Sequence, residues 1–246
     1  MANVLIFGAT SAIAARVAEL YAARGARLHL VGRDAEKLAA VVQRCSATQV
    51  SSEMADLAQV EGAVSLVQNA VARLGTIDVV LIAQGYLSDQ IETERSFEAA
   101  EYSLRVNFLG VISLLVPLAN QMETQRAGRI AVITSVAGDR GRPRNYTYGT
   151  AKGALNIYLQ GLRTRLYRAG VSVTTLKLGP VDTPMTRDHN KHFLFGKIPG
   201  VAHDIVRAID GRKAEVYSPF LWRFIMFGVR LTPEWLIQRL AFLSGR

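Results

Sequence analysis

A doubly wound α/β fold, one parallel sheet with helices on both faces, is what three features of this 246-residue chain predict. Short apolar runs alternate with longer segments of helical period as far as about residue 180, the pattern of repeated strand-helix-strand units. The short runs are largely β-branched and flanked by Gly, Asp or Asn, which favours strands. No linker rich in Pro, Gly or Ser interrupts the alternation and no internal repeat is visible, so a single domain is expected.

The first strand is 4–7, which runs through Gly8 into an alanine-rich helix at 12–24. Residues 27–31 form the second strand, and Asp34 then reads as the N-cap of a helix over 34–44. A weaker strand at 50–55 precedes a helix at 57–74. Strand 78–83, helix 97–122, strand 129–134, helix 146–168 and strand 171–178 complete the alternation. Beyond Gly179 the pattern changes: Pro180, Pro184 and Pro199 break regular structure and predict a loop region over the carboxyl edge of the sheet, where α/β proteins hold ligands. A short strand from Glu215 and an aromatic, basic tail follow. Residues 1–211 are therefore read as the catalytic, dinucleotide-binding part and 212–246 as a strand and tail completing the same domain.

Apolar residues make up 50% of the chain and charged residues 20%, ordinary globular usage that excludes a disordered or collagenous protein. The lone Cys45 excludes an intramolecular disulfide and a cysteine-rich zinc site. An excess of 29 Lys+Arg over 20 Asp+Glu, +9 in all, suits nucleic acid, acidic membranes or anionic ligands alike. No nucleic-acid motif accompanies the charge, so nucleic acid is not an expected partner. The apolar run at the amino terminus stops at Gly8, and Arg223 and Arg230 interrupt the tail run at 220–231, which is shorter than the ~20 residues of a spanning helix. A cytoplasmic protein is expected.

Chemistry is first suggested by the turn Gly8-Ala9-Thr10-Ser11-Ala12-Ile13-Ala14. Its glycine allows a sharp bend, and the helix that follows offers N-terminal amides to a pyrophosphate, although Ala12 and Ala14 stand where a glycine-rich fingerprint has Gly. At the end of the second strand, Arg33 is suited to the 2′-phosphate of an NADP-type dinucleotide, whereas a carboxylate there would select the ribose hydroxyls of NAD. Tyr148 and Lys152 lie one helical turn apart on one face, and an ammonium beside a phenol is expected to lower its pKa enough to make it a usable acid or base. Ser135, thirteen residues before Tyr148, ends a strand where its hydroxyl can hold a substrate oxygen, and Asn107 in the preceding helix is a candidate to buttress the lysine.

Taken together, GATSAIA after the first strand, Asp56-Leu57 after the third, Asn107, Ser135, Tyr148-Gly149-Thr150-Ala151-Lys152 and LGPVDTPM give a chain that resembles the short-chain dehydrogenase/reductase family along nearly its whole length. The resemblance implies a Rossmann-type sheet, a nicotinamide cofactor, here NADP(H), and a catalytic set Asn107-Ser135-Tyr148-Lys152. It implies cofactor contacts at Gly8, Thr10, Ser11, Ala12, Ile13, Arg33, Asp56, Leu57, Ala83, Gly85, Tyr148, Lys152, Gly179, Val181 and Thr183, with Asp56 at the adenine and the Val181 amide at the carboxamide. Departures from the family pattern are Ile82-Ala83-Gln84-Gly85, where Asn-Asn-Ala-Gly is frequent, and Leu178-Gly179, where Pro-Gly is. Within the family, GDRGRPRNYTYGTAKGAL and SPFLWRFIMFGVRL are similar to reductases of a polyprenyl-phosphoryl keto-pentose. The expected activity is reduction of a ketone on a lipid-linked sugar, with fatty-acyl or steroid-like ketones as the alternative substrates and a catalytically silent cofactor sensor or scaffold as the alternative function. Pairing into a homodimer or homotetramer through 97–122 and 146–168 is implied as well.

Other residues carry less specific signals. His189 and His192 form a pair without a third ligand, so no metal site is expected. Arg140, Arg142 and Arg144 precede Tyr148 and are candidates to meet an anionic head group. The tail, with six basic residues against two acids between Arg212 and Arg246, reads either as an interfacial surface at 220–243, a peripheral contact with the inner face of a membrane, or as ordinary core packing.

Overall fold

The computed structural model describes all residues except 47, 188–190, 192 and 240–246. Seven parallel strands form one sheet in the order β3-β2-β1-β4-β5-β6-β7. They are β1 (Asn3–Phe7), β2 (Arg27–Gly32), β3 (Val50–Met54), β4 (Val79–Ile82), β5 (Gly128–Ser135), β6 (Val171–Leu178) and β7 (Glu215–Ser218). Successive residues of β1 serve opposite faces: Val4 and Ile6 join one core, Leu5 and Phe7 the other. Such a strand has to be apolar throughout, which is why VLIF shows no alternation of polarity.

One face of the sheet is covered by α1 (Ala12–Ala22), α2 (Ala35–Arg44) and α8 (Ile198–Asp210), the other by α3 (Ala63–Leu74), α6 (Gly110–Gln125) and α7 (Tyr146–Leu166). Shorter helices α4 (Gln90–Arg95), α5 (Phe97–Leu104), α9 (Trp222–Leu231) and α10 (Glu234–Ile237) complete the described elements. The chain lays β2 and β3 to one side of β1 and then crosses to β4 on the other, so the switch point of the sheet falls between β1 and β4. Ligands of open α/β sheets bind outside the carboxyl ends of strands at such a point.

Three sequence expectations need correction. The helix expected at 57–74 begins only at Ala63, because Asp56 turns back to accept the Ala58 amide at 3.0 Å and holds the preceding segment as a loop. The helix expected over 97–122 is α5 and α6 joined by a single π-type turn, Arg105–Leu109, with Asn107 at its centre. Pro199 does not extend the loop region: it stands in the first turn of α8, where a missing N–H costs nothing. The continuous run Phe97–Gln125 is long and apolar enough to cross a membrane, yet Leu114, Leu115, Leu118 and Met122 are buried against the sheet, as in a core helix.

Candidate active site

A cleft of about 1440 Å³ opens at the switch point. Gly8 sits at its floor with a φ of 73°. A Cβ there would come within 2.7 Å of the Gln84 backbone nitrogen, so both conformation and space demand glycine. Ser11, the N-cap of α1, makes no side-chain cap bond, which leaves the first-turn amides of α1 open to the cleft beside Ser11, Ala12 and Ile13. Ala14, by contrast, is buried in the core, so its methyl fills a packing position and does not crowd a ligand.

At the end of β2, Asp34 and Arg33 part ways. The Asp34 carboxylate accepts the Lys37 amide at 3.0 Å and pairs with the Lys37 ammonium at 2.8 Å, as the expected N-cap of α2. Arg33 is exposed on the cleft wall with no ion-pair partner among the described residues. A free guanidinium at this place and a carboxylate already engaged make an environment suited to an added phosphate.

The catalytic candidates gather at the carboxyl end of β5. Ser135 ends that strand, and its Oγ accepts the Ala137 amide at 3.1 Å and faces the Leu178 carbonyl at 3.4 Å. Tyr148 and Lys152 project from the first turns of α7 into the same cleft. Burial pushes the Tyr148 phenol up to about 12, against the opposing effect of its hydrogen bond with Ser135. Lys152 is almost wholly inaccessible, donates to the Ile133 carbonyl at 3.3 Å, and is pulled down by burial to about 8.

The expected lowering of the phenol by the ammonium is therefore absent. Lys152 Nζ lies over the Tyr148 ring, 5.7 Å from its centroid, and burial raises the phenol all the same. Asn107 does not bond the lysine either. Its Oδ1 accepts the Tyr86 amide at 3.1 Å and its Nδ2 donates to the carbonyls of Tyr86 at 2.7 Å and Ser103 at 2.9 Å, so it locks the strand-end loop over the π-type turn.

Asp56, Leu57, Ala83, Gly85, Gly179, Val181 and Thr183 line the cleft with Thr10 and the residues already described; Asn107 alone of the expected set lies beneath its wall. Thr183 caps the turn Pro184–Thr186, and Val181 is bridged to Gly196. The three arginines before Tyr148 have separate fates. Arg140 donates to the Thr232 carbonyl at 2.7 Å and pairs with Glu234 at 2.6 Å, fastening the end of α9, whereas Arg142 and Arg144 line the cleft. His189 and His192 lie outside the described residues.

Some contacts of the cleft residues escaped the sequence reading. Gln84 donates to the Leu57 and Val106 carbonyls while its Oε1 is buried without a partner, and it stands in the segment whose departure from the family pattern was the available signal. Arg142 Nε and Asn145 Oδ1 are likewise buried and unpartnered. Trp222 lies over Gly179 so closely that a Cβ there would fall 2.3 Å from the indole; nothing local in the tail signals this contact. Behind the turn that follows Ser135, Lys177 pairs with Asp139 at 2.7 Å and Glu215 at 2.9 Å, and the Tyr217 hydroxyl donates to Asp139 at 2.7 Å.

The sequence profile of the family described as short chain dehydrogenase matches residues 2–193. The chain belongs to that family. Among its relatives is an uncharacterised oxidoreductase of Mycobacterium tuberculosis, 32% identical over 242 residues, covering 97% of each chain. An uncharacterised oxidoreductase of Streptomyces coelicolor is 30% identical over 244 residues, covering 97% of this chain and 96% of the other. Among solved structures, NAD+-bound xylitol dehydrogenase superposes with a TM-score of 0.80 at 20% identity, covering 88% of this chain and 96% of that one, a likeness of fold. Membership in the family makes the chain an oxidoreductase that works with a nicotinamide cofactor, and the seven-stranded parallel sheet is the Rossmann-like architecture expected.

Proposed function

We propose that this short-chain dehydrogenase is an NADPH-dependent carbonyl reductase with Tyr148 as the proton donor. The observation that carries the reading is the convergence of Ser135, a protonated Tyr148 and Lys152 on one cleft whose far end exposes Arg33. The open first turn of α1 and the unpartnered Gln84 Oε1 fit a dinucleotide, with the amides taking pyrophosphate and Arg33 the 2′-phosphate. A nicotinamide held in this cleft would supply hydride to the carbonyl carbon. Ser135 Oγ donates to the carbonyl oxygen, Tyr148 gives that oxygen its proton, and Lys152 holds ribose hydroxyls and compensates the phenolate left behind.

The substrate end supports a ketone with both polar and apolar parts. Arg142 Nε asks for an acceptor and Asn145 Oδ1 for a donor, while Val136, Met185 and Trp222 offer apolar wall. A keto-sugar attached to a lipid offers polar groups to Arg142 and Asn145 and an apolar chain to the remaining wall, whereas a steroid-like or fatty-acyl ketone offers the two polar residues little to bond.

Fluorescence titration with NADPH and NADH tests the cofactor. NADPH is expected to bind more tightly, and Arg33→Ala to narrow the preference by about 1–3 kcal/mol; equal affinities in the unsubstituted protein sink that part. Single-turnover reduction of an accepted ketone tests the acid. Tyr148→Phe is expected to slow it by about 10²–10⁴-fold with NADPH affinity kept, and near-normal turnover means another group donates the proton.

A further inference from the structure

Helix α9 is amphipathic, and its two faces have opposite fates. Trp222, Met226 and Val229 turn inward onto Val136 and Tyr217. Phe220, Leu221, Phe224, Phe227 and Leu231 turn outward, and with Trp235 beyond them each is between 48% and 67% exposed. Phe220 and Phe224 stack edge to face, with centroids 5.4 Å apart, so the outer face is ordered by its own rings. Single exposed apolar residues are ordinary, but six large ones along one short segment make a contiguous patch that water does not favour.

Arginines outnumber acids around the patch. Arg223 and Arg230 belong to the helix, Arg239 lies 5.7 Å over the Trp235 ring, and α9 has no acidic residue. The nearby Glu234 is engaged by Arg140. We propose that the outer face of α9 docks on an anionic lipid bilayer, its rings entering the acyl boundary and its guanidinium groups meeting lipid phosphates. A two-fold contact with a second copy would set this patch against itself and bring like-charged arginines together. Trp222 begins the same helix and walls the cleft from its inner face, so the docked helix is also one wall of the cleft. The proposal stands on this surface alone and does not depend on the reductase reading.

Co-sedimentation of the full chain with vesicles of phosphatidylcholine, with and without phosphatidylglycerol, tests it. The protein is expected to sediment with the anionic vesicles and much less with neutral ones. Phe224→Ser with Phe227→Ser, and separately Arg223→Gln with Arg230→Gln, are expected to weaken partitioning on the order of tenfold each, with unchanged melting curves. The arginine pair keeps the test decisive if the serine pair perturbs folding. Failure to sediment with either vesicle overturns the proposal, as does sedimentation indifferent to both double variants. A dimer in light scattering that dissociates on the phenylalanine substitutions also overturns it, since the patch is then a self-contact.

Discussion

At the scale of single residues, the site is governed by desolvation. Tyr148 and Lys152 are both driven toward their neutral forms by burial, the phenol up to about 12 and the ammonium down to about 8. The phenol thus keeps its proton across the physiological range, as a donor must, while the lysine titrates close to it. Below about pH 8 the lysine is charged and able to hold ribose hydroxyls; above it the charge is lost. In the proposed mechanism kcat/KM for NADPH, which reports groups of the free enzyme, is expected to fall as pH rises through about 8. Lys152→Met should remove that limb from the pH profile, and a profile flat to pH 10 or so in the unsubstituted enzyme would assign the lysine no such role. The same shift has a stability sign: a lowered lysine pKa means the unfolded chain binds more protons, so the burden on the fold is present at low pH and is relieved as pH rises from about 8 toward the ordinary lysine value.

At the scale of elements, the turn after β5 is held from behind. Lys177 of β6 and Tyr217 of β7 both bind Asp139, and with Glu215 they tie three successive segments under the Ser135 turn. The front of that turn has no slack: a Cβ at Gly138 would come within 2.6 Å of the Lys152 and Gly153 backbone on α7. Burial disfavours the Lys177 ammonium, but hydrogen bonds to Asp139 and Glu215 outweigh it and raise its pKa. A raised lysine pKa contributes stability that is present below the ordinary lysine value and lost as pH climbs through the raised one. Lys177→Met leaves the Asp139 carboxylate buried without its cation and is expected to cost about 3–5 kcal/mol, read by urea denaturation. Asp139→Asn with Lys177→Met should recover part of that loss, and a single variant as stable as the parent would make the cluster dispensable.

At the scale of the whole molecule, apolar side chains remain outside on the helices that cover the far face of the sheet. Phe97 is 81% exposed, Val116 51% and Ile157 71%, on α5, α6 and α7. The family resemblance implies pairing through these helices, and we propose that they form a contact between copies, distinct from the lipid-facing patch on α9. Ile157→Glu with Val116→Glu is expected to convert an oligomer to monomer in light scattering while leaving the secondary structure intact, because neither side chain supports the core. A parent protein that is already monomeric would refute the pairing.

Much of this was legible in the order of residues because it rests on local chemistry. Strand patterns such as VLIF are dictated by burial on both faces, Asp34 caps α2 through a bond three residues away, and Gly8 is required by a conformation its own backbone adopts. Tyr148 and Lys152 share a face because a helix turns every 3.6 residues, whatever surrounds it. What depended on distant chain did not show. Asn107 meets Tyr86, Arg140 holds the end of α9, Trp222 covers Gly179 and Lys177 finds Asp139, each across at least twenty residues of sequence separation or a different strand. The charge state of the tyrosine was likewise decided by tertiary structure, since spacing brings an ammonium near but only packing determines how much water leaves with it. Sequence period alone also left open which face of the tail is buried; the seat of Met226 between Tyr217 and Val136 chose the inner side and left the phenylalanines outside.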